Sequence, residues 1–109
     1  MNRSRQLRRR FARALAKELG VVWPILSGLL LAQLSLGVLV GTIEGWPMRD
    51  GAYFTFVTGL TIGYGDLVPR HFSSRLVAVT IGFLGILVTG LVAAVAVRAL
   101  QEARTEEER

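Results

Sequence analysis

The chain has 109 residues and a formal net charge of +5, about half of its residues are hydrophobic, and it contains one histidine and no cysteine. The hydrophobic residues are concentrated in long blocks, which is not typical of a soluble domain of this size. The absence of cysteine excludes a disulfide framework and a thiolate site. No catalytic dyad can be assembled from the remaining residues, so neither an enzymatic activity nor a bound cofactor is predicted.

The positive charge is concentrated near the N-terminus. The basic residues there are Arg3, Arg5, Arg8, Arg9, Arg10, Arg13 and Lys17. The positive-inside rule keeps such a segment in the cytoplasm, and apolar residues recur every four positions within it. This pattern predicts a basic amphipathic helix over residues 1–20 at the membrane surface; a disordered basic tail is the alternative. The predicted partner is anionic lipid and not nucleic acid, because no nucleic-acid-binding fold fits the apolar remainder of the chain.

Two segments are free of charged residues and histidine, namely residues 19–43 and 76–97. Each is long enough for a helix that crosses the hydrocarbon core of a membrane, which takes ~20 residues. We therefore predict an outer helix over residues 21–43 and an inner helix over residues 73–99. The protein is predicted to be a multi-pass protein of the cell (inner) membrane with both termini in the cytoplasm.

The first uncharged segment contains four residues with predicted packing roles. Pro24 lies near the predicted start of the outer helix, where proline costs least. Gln33 lies near the middle and must find a partner, because an unpaired amide that faces lipid is unfavourable. Gly37 and Gly41 form a small-xxx-small pair, which would let another helix approach closely.

A third apolar segment, residues 52–60, is far too short to cross a membrane. Apolar backbone that does not span is tolerated at membrane depth only where it is buried in protein or lines a cavity. We therefore predict a re-entrant pore helix over residues 50–60. The partially negative C-terminal end of such a helix favours a cation.

Two glycines separated by one residue, Gly63 and Gly65, follow this helix. Because glycine adopts the left-handed backbone region freely, it lets alternate residues turn their carbonyls toward a common side. Four such strands around an axis would form rings of carbonyl oxygens that replace the water shell of a cation, and this chemistry selects potassium. In this arrangement Ile62 and Tyr64 turn their side chains into the surrounding protein, and Asp66 marks the outer mouth.

The sequence Thr-Ile-Gly-Tyr-Gly-Asp at residues 61–66 resembles the signature filter of potassium channels. From Tyr53 to the end of the second uncharged segment, the chain is similar to the minimal, proton-gated bacterial channels with two transmembrane helices. The resemblance implies an all-α membrane protein, with residues 21–99 as the pore domain, that forms a homotetramer and conducts K⁺ passively. It implies K⁺ sites made by backbone carbonyls and one hydroxyl, at Thr61, Ile62, Gly63 and Tyr64.

The resemblance also assigns roles outside the filter. It implies a gating hinge at Gly85 and support of the filter by Tyr53, Phe54, Val57 and Thr58. The chain departs from the family here, because well-studied members carry two tryptophans at the positions of Tyr53 and Phe54, and some carry a buried Glu at the position of Val57. These differences do not alter the expected selectivity for K⁺. They leave open how the filter inactivates.

Residues 100–109 are predicted to continue the inner helix into the cytoplasm as a charged end. In placement, its acidic residues resemble those at the inner end of proton-gated relatives, where protonation would separate four converging helices. The predicted pH-sensing residues are Glu102, Glu106, Glu107 and Glu108. A solubilising helix end is the alternative. We interpret His71, the one histidine, as a solvated side chain in the outer loop.

Three functions remain open on the sequence alone. The first is a K⁺-selective channel subunit. The second is a weakly selective cation channel on the same scaffold, which the intact sequence Tyr64-Gly65-Asp66 disfavours. The third is a non-conducting membrane adaptor with two spans, which leaves the polar residues 61–66 unexplained at membrane depth.

Overall fold

The computed structural model describes residues 3–108, and the side chains of residues 3–106, as three helices. These are α1 (Arg3–Glu44), α2 (Met48–Gly59) and α3 (Phe72–Glu108). The described part of the chain contains no strand, which confirms the predicted all-α class. Both α1 and α3 contain a stretch that is long and apolar enough to cross a membrane.

The predicted surface helix and the predicted outer helix form one element, α1, in the described residues. Pro24 therefore lies inside a helix of 42 residues and not in its first turn, which differs from the prediction. The helix begins earlier because the basic segment is rich in Arg, Ala and Leu, all strong helix formers. Proline leaves the carbonyl of Gly20 without its i+4 donor, a loss that membrane helices tolerate when neighbouring groups compensate.

The end of α1 is set by Gly45, which has a φ of 78°. A glycine in this left-handed conformation directly after a helix is a common stop signal. The N–H of Trp46 then donates to the carbonyl of Gly41 at 2.8 Å, which closes the last turn. The chain re-enters a helix directly after Pro47, whose carbonyl accepts the N–H of Asp50 at 3.0 Å.

The described residues pack into two compact units. One unit contains residues 27–89, which are the C-terminal part of α1, all of α2, the segment after α2 and the N-terminal part of α3. The other contains the described residues of 1–26 and 90–109. The buried core of the first unit takes one residue from each helix: Val40, Phe54 and Ile81.

In the unit of residues 27–89, glycines bring α1 and α2 into backbone contact. A Cβ added to Gly51 would lie 2.9 Å from the carbonyl oxygen of Gly37, and a Cβ on Gly37 would collide with the hydroxyl of Thr55. A Cβ on Gly41 would lie 3.5 Å from the Cα of Gly51. The pair Gly37 and Gly41 therefore permits close packing of another helix, as predicted, and that helix is α2.

A buried amide joins α1 to α3 in the same unit. Gln33 is 5% exposed, and its Nε2 donates to the carbonyl oxygen of Ile81 at 3.2 Å. This contact provides the partner that the sequence requires for a polar side chain in the middle of an apolar helix.

The unit of residues 1–26 and 90–109 is packed differently. The two residues that are completely buried in it, Ala99 and Ala103, are small, and Leu26 and Val95 are also buried. At its surface, Nζ of Lys17 lies 3.6 Å from Oε1 of Glu102, so an ion pair links α1 to α3. Both side chains are substantially exposed, and solvent therefore screens the pair.

Candidate functional site

The segment between α2 and α3 contains no helix or strand, and its backbone alternates in conformation. Thr61, Gly63 and Gly65 have positive φ values of 65°, 61° and 83°, whereas Ile62 and Tyr64 between them do not have positive φ. Such an alternation turns successive carbonyls toward one side of the strand, because every second residue is in the left-handed region. The spacing of the two glycines predicts two of these three positions.

The third position, Thr61, is strained. A β-branched residue with positive φ is a genuine outlier, and holding it there costs about 1–3 kcal/mol. Hydrogen bonds to the last turn of α2 compensate for this cost. The N–H of Thr61 donates to the carbonyl of Thr58 at 3.2 Å, and the carbonyl of Val57 accepts the N–H groups of Ile62 at 2.8 Å and Gly63 at 3.3 Å. The first residues of the segment are therefore anchored to α2.

The larger side chains of the segment are not covered by the rest of the chain. Ile62 is 47% exposed and Tyr64 is 68% exposed. We expected both side chains to turn into surrounding protein, and a single copy of the chain does not supply that protein. The segment is therefore incomplete as a binding site in one copy.

The residues predicted to support the filter lie together beside it. Tyr53, Phe54, Val57 and Thr58 line a cavity of about 160 Å³ together with the filter glycines. Phe54 and Val57 are buried, and the ring of Phe54 makes an edge contact with Trp46 at a centroid distance of 5.3 Å. Aromatic rings thus lie beside this segment, and the support of a filter by these four residues stays a prediction.

The hydroxyl of Tyr53 connects α2 to Asp66, the last residue of the signature sequence. Its hydrogen bond to the carboxylate of Asp66 raises the pKa of Tyr53, and the negative charge of Asp66 adds to the effect. Asp66 also accepts the N–H of Leu67 at 3.1 Å through Oδ1. Asp66, the last residue of the signature, therefore interacts with Leu67 of the loop and with Tyr53 of α2.

Gly85 lies where α3 touches the end of α2. A Cβ on Gly85 would collide with the carbonyl oxygen of Gly59, the last residue of α2, whereas a Cβ on Gly82 would meet open space. Close packing against α2 is thus a sufficient reason for glycine at position 85. The hinge role of Gly85 stays a prediction.

The loop after residues 61–66 is attached to the end of α1 by Glu44, a contact that we did not predict. The carboxylate accepts the N–H of Arg70 at 2.8 Å and the N–H of His71 at 3.0 Å. The backbone hydrogen bond from Arg70 is the main reason that the pKa of Glu44 is lowered to about 2; hydrogen bonds from His71 act in the same direction, and partial burial opposes them. Glu44 therefore keeps its charge, and the attachment, until the pH falls to about 2.

His71 is not simply a solvated side chain. Its ring is 61% exposed, but its Nδ1 lies 2.6 Å from Oε2 of Glu44. The interpretation from sequence was wrong because a contact between residues 27 positions apart leaves no local pattern. The sequence contained one hint of this contact: Glu44 is the first acidic residue after the first uncharged segment.

The structure describes the side chains of two of the four predicted pH-sensing residues. Glu102 and Glu106 line a cavity of about 570 Å³ that basic residues of both α1 and α3 also line. These basic residues are Arg10, Arg13, Lys17 and Arg98. The side chains of Glu107 and Glu108 lie outside the described residues.

Two apolar helices, a short helix between them and a filter-like segment at its end define a membrane protein of the ion channel class. The sequence profile of the family described as "Ion channel" matches residues 25–102, which include all of α2 and the filter. The match covers more than half of the chain, and the chain therefore belongs to this ion channel family.

The chain is similar to several potassium channels. It is 42% identical over 77 residues to two-pore potassium channel 3 of Arabidopsis thaliana, covering 59% of this chain and 18% of the relative. It is 35% identical over 88 residues to two pore potassium channel a of Oryza sativa subsp. japonica, covering 73% and 25%. It is 48% identical over 44 residues to potassium channel subfamily K member 17 of Homo sapiens, covering 40% and 13%.

The chain thus spans a quarter or less of the length of these relatives. No solved structure matches it. The relatives named above are plant and human proteins, and the likeness to bacterial channels with two helices stays a prediction.

Replacing Gly85 with Ala tests its contact with α2. We expect Gly85→Ala to displace the end of α2, because overpacking of this kind costs about 1–3 kcal/mol, and to reduce the discrimination between K⁺ and Na⁺ in ion flux from liposomes. Gly82→Ala, at a position with open space, should keep the wild-type ratio. A Gly85→Ala channel with altered opening but unchanged ion discrimination would support a hinge and contradict the packing role.

Proposed function

We propose that the chain is the subunit of a K⁺-selective channel that conducts K⁺ passively across the membrane. The observation that carries the proposal is the alternation of positive φ at Thr61, Gly63 and Gly65, within the signature sequence and directly after α2. Membership of the ion channel family supports it, as do the names of the similar proteins. K⁺ is the transported ion, and no covalent chemistry is involved.

The ion sites of this proposal are the backbone carbonyls of Thr61, Ile62, Gly63 and Tyr64, with the Thr61 hydroxyl at the inner end. The described residues contain no group of three or more His, Cys, Asp or Glu side chains that could hold a metal ion. The carbonyl dipoles are therefore the groups available to replace the hydration shell of a cation. The C-terminal end of α2 adds a partial negative charge near these carbonyls.

We place four copies of the chain around the pore. The signature sequence at residues 61–66 supplies one quarter of a carbonyl ring. Irregular backbone at membrane depth cannot face lipid, and Ile62 and Tyr64 are uncovered in one copy. Neighbouring copies would cover both the backbone and these side chains.

Crosslinking of the purified protein in mild detergent tests this assembly. We expect a ladder of products that ends at four subunits, because closed rings of identical subunits have a fixed size. The same protein in strong denaturant serves as the control and should run as the 11.9 kDa chain. A ladder that ends at two or three subunits would contradict the pore.

Flux measurements on liposomes test selectivity and separate the three functions. We expect potassium-driven flux with strong discrimination against Na⁺ in the wild type. Gly63→Ala and Gly65→Ala should each abolish it, because a left-handed alanine costs ~1–2 kcal/mol and a tetramer contains four copies. Gly90→Ala is the matched control, since its added Cβ meets open space and its φ is not positive.

Each other result of the flux measurement supports a different function. Equal flux of Na⁺ and K⁺ in the wild type would support the weakly selective cation channel. Absence of flux from protein that forms tetramers would support the non-conducting adaptor. Unchanged selectivity in Gly63→Ala and Gly65→Ala would show that the ion sites lie elsewhere.

We place the channel in the cell (inner) membrane with both termini in the cytoplasm. The basic residues near the start of α1 support this orientation, since such residues are retained on the cytoplasmic side. They also support an interaction with anionic lipid headgroups, which attract basic segments next to a membrane.

The gate of this proposal lies at the cytoplasmic end of α3. Glu102 pairs with Lys17 and, like Glu106, lies beside other basic side chains. Protonation of these carboxylates at low internal pH would release the ion pair and leave an excess of positive charge. Repulsion between the four copies would then separate the helix ends about a hinge at Gly85.

Single-channel recording over a range of internal pH tests this gate. We expect the open probability to rise about tenfold or more on acidification, which corresponds to ~1.4 kcal/mol of bias between closed and open states. A variant with Glu102, Glu106, Glu107 and Glu108 all changed to Gln should be insensitive to internal pH. Equal open probability at neutral and acidic internal pH in the wild type would leave these glutamates as a solvated helix end.

A further inference from the structure

The amide of Gln33 lies at the point where the three helices of the unit of residues 27–89 meet. Its Nε2 donates to the carbonyl oxygen of Ile81 in α3 at 3.2 Å, and the side chain is buried. A Cβ added to Gly59, the last residue of α2, would lie 2.7 Å from the same Nε2 atom. One amide of α1 is thus bonded to α3 and lies against the end of α2.

This amide fills the space beside Gly59. The three heavy atoms nearest to a Cβ added there all belong to the side chain of Gln33, namely Nε2, Cδ and Oε1 at 2.7, 3.6 and 3.9 Å. The φ of Gly59 is not positive, so its backbone conformation does not require glycine. Position 59 therefore excludes a side chain because the amide occupies the volume in which that side chain would lie.

The turn of α3 that holds the amide also packs against Gly59. A Cβ on Gly85 would collide with the carbonyl oxygen of Gly59. Ile81 precedes Gly85 by one helical turn, and a backbone carbonyl has two lone pairs. The Ile81 carbonyl can therefore accept the amide of Gln33 in addition to its bond within the helix. Gly59 is thus held between this amide and Gly85.

The filter segment begins two residues after Gly59. The N–H groups of residues 61–63 donate to the carbonyls of Val57 and Thr58 in the last turn of α2. Because these hydrogen bonds join the segment to the helix end, a displacement of Gly59 would also displace the first carbonyls of the segment.

We propose that Gln33 is a positioning residue for ion binding, whose amide keeps the end of α2 at the place that the ion sites require. This inference rests on the proposed function for the ion sites themselves. Gln33 lies near the middle of the uncharged residues 19–43, where the hydrocarbon core provides no water to compete for the amide. The bond to Ile81 therefore fixes the amide against Gly59, and an apolar side chain of the same length would fill the space without being fixed.

Thermal unfolding of the full-length protein in detergent, as a function of K⁺ concentration, tests this role. Gln33→Met keeps the length of the side chain and removes its donor. We expect it to weaken the apparent K⁺ affinity about three- to tenfold, the effect of one interhelical hydrogen bond in a membrane. Ser35→Ala is the matched control and should keep the wild-type affinity, because the Ser35 hydroxyl bonds to Leu31 within α1.

The comparison of K⁺ with Na⁺ distinguishes positioning from packing. A Gln33→Met protein whose unfolding midpoint falls by the same amount in both ions would overturn the positioning role, because packing alone would account for it. Unchanged K⁺ affinity in this variant would also overturn it.

A double-mutant cycle in Na⁺ tests the geometry without ion binding. Gly59→Ala should lower the unfolding midpoint, because its Cβ displaces the amide, and Gln33→Ala should lower it by leaving a void. Together the two changes should lower it by less than the sum of the separate shifts, since removal of the amide frees the volume that the Cβ needs. Gly59→Ala combined with Ser35→Ala should be additive. Additive shifts in the Gln33 pair would overturn the proposal.

The two measurements separate this inference from the proposed function. A wild type whose unfolding does not depend on K⁺, but whose cycle shows coupling between positions 33 and 59, would refute the proposed ion sites and support the positioning of α2 by Gln33. A wild type that K⁺ stabilises, without coupling in the cycle, would support the ion sites and overturn the role of Gln33.

Discussion

The unit of residues 27–89 depends on one constraint: a helix at membrane depth that is too short to span must be packed closely against other parts of the protein. Glycine satisfies the constraint at both ends of α2. Gly51 rests against Gly37 of α1 near the start of α2, and Gly59 rests against Gly85 of α3 at its end. With both ends fixed in this way, the carbonyl of Val57 is in place to hold Ile62 and Gly63. The geometry of the filter segment is thus a consequence of helix packing.

The strained backbone of Thr61 also depends on the packing of α2. A residue held in a sparsely populated conformation persists only where its surroundings over-determine it, and such residues are frequent at sites that must be ready before a ligand arrives. Here the last turn of α2 provides those surroundings through Val57 and Thr58. In the proposed channel, an entering ion would meet carbonyls already turned toward it, so little of the binding free energy would be spent on ordering the chain.

Much of this structure could be predicted from the sequence, and the rest depends on contacts between distant residues. The uncharged segments predict the two long helices, and the short apolar segment predicts α2, because length and hydrophobicity are local properties. The spacing of Gly63 and Gly65 predicts two of the three left-handed residues. Nothing local predicts a left-handed Thr61 or the attachment at Glu44, since both depend on partners brought together by folding. The position of Pro24 deep inside α1, and not near the start of a helix, was missed because the local penalty of proline was weighed without the long helix around it.

The attachment at Glu44 has a consequence for how the outer rim of the protein can vary. Its hydrogen bonds join residues 26 and 27 positions apart, so the turn after α1, all of α2 and the filter form one loop whose two ends meet at a single carboxylate. The entropy cost of closing a flexible loop rises slowly with its length, by only about 0.6 kcal/mol for each doubling. Residues inserted beside Pro47 would therefore lengthen this loop at little cost in closure entropy, provided that the contact of Trp46 with Phe54 is kept.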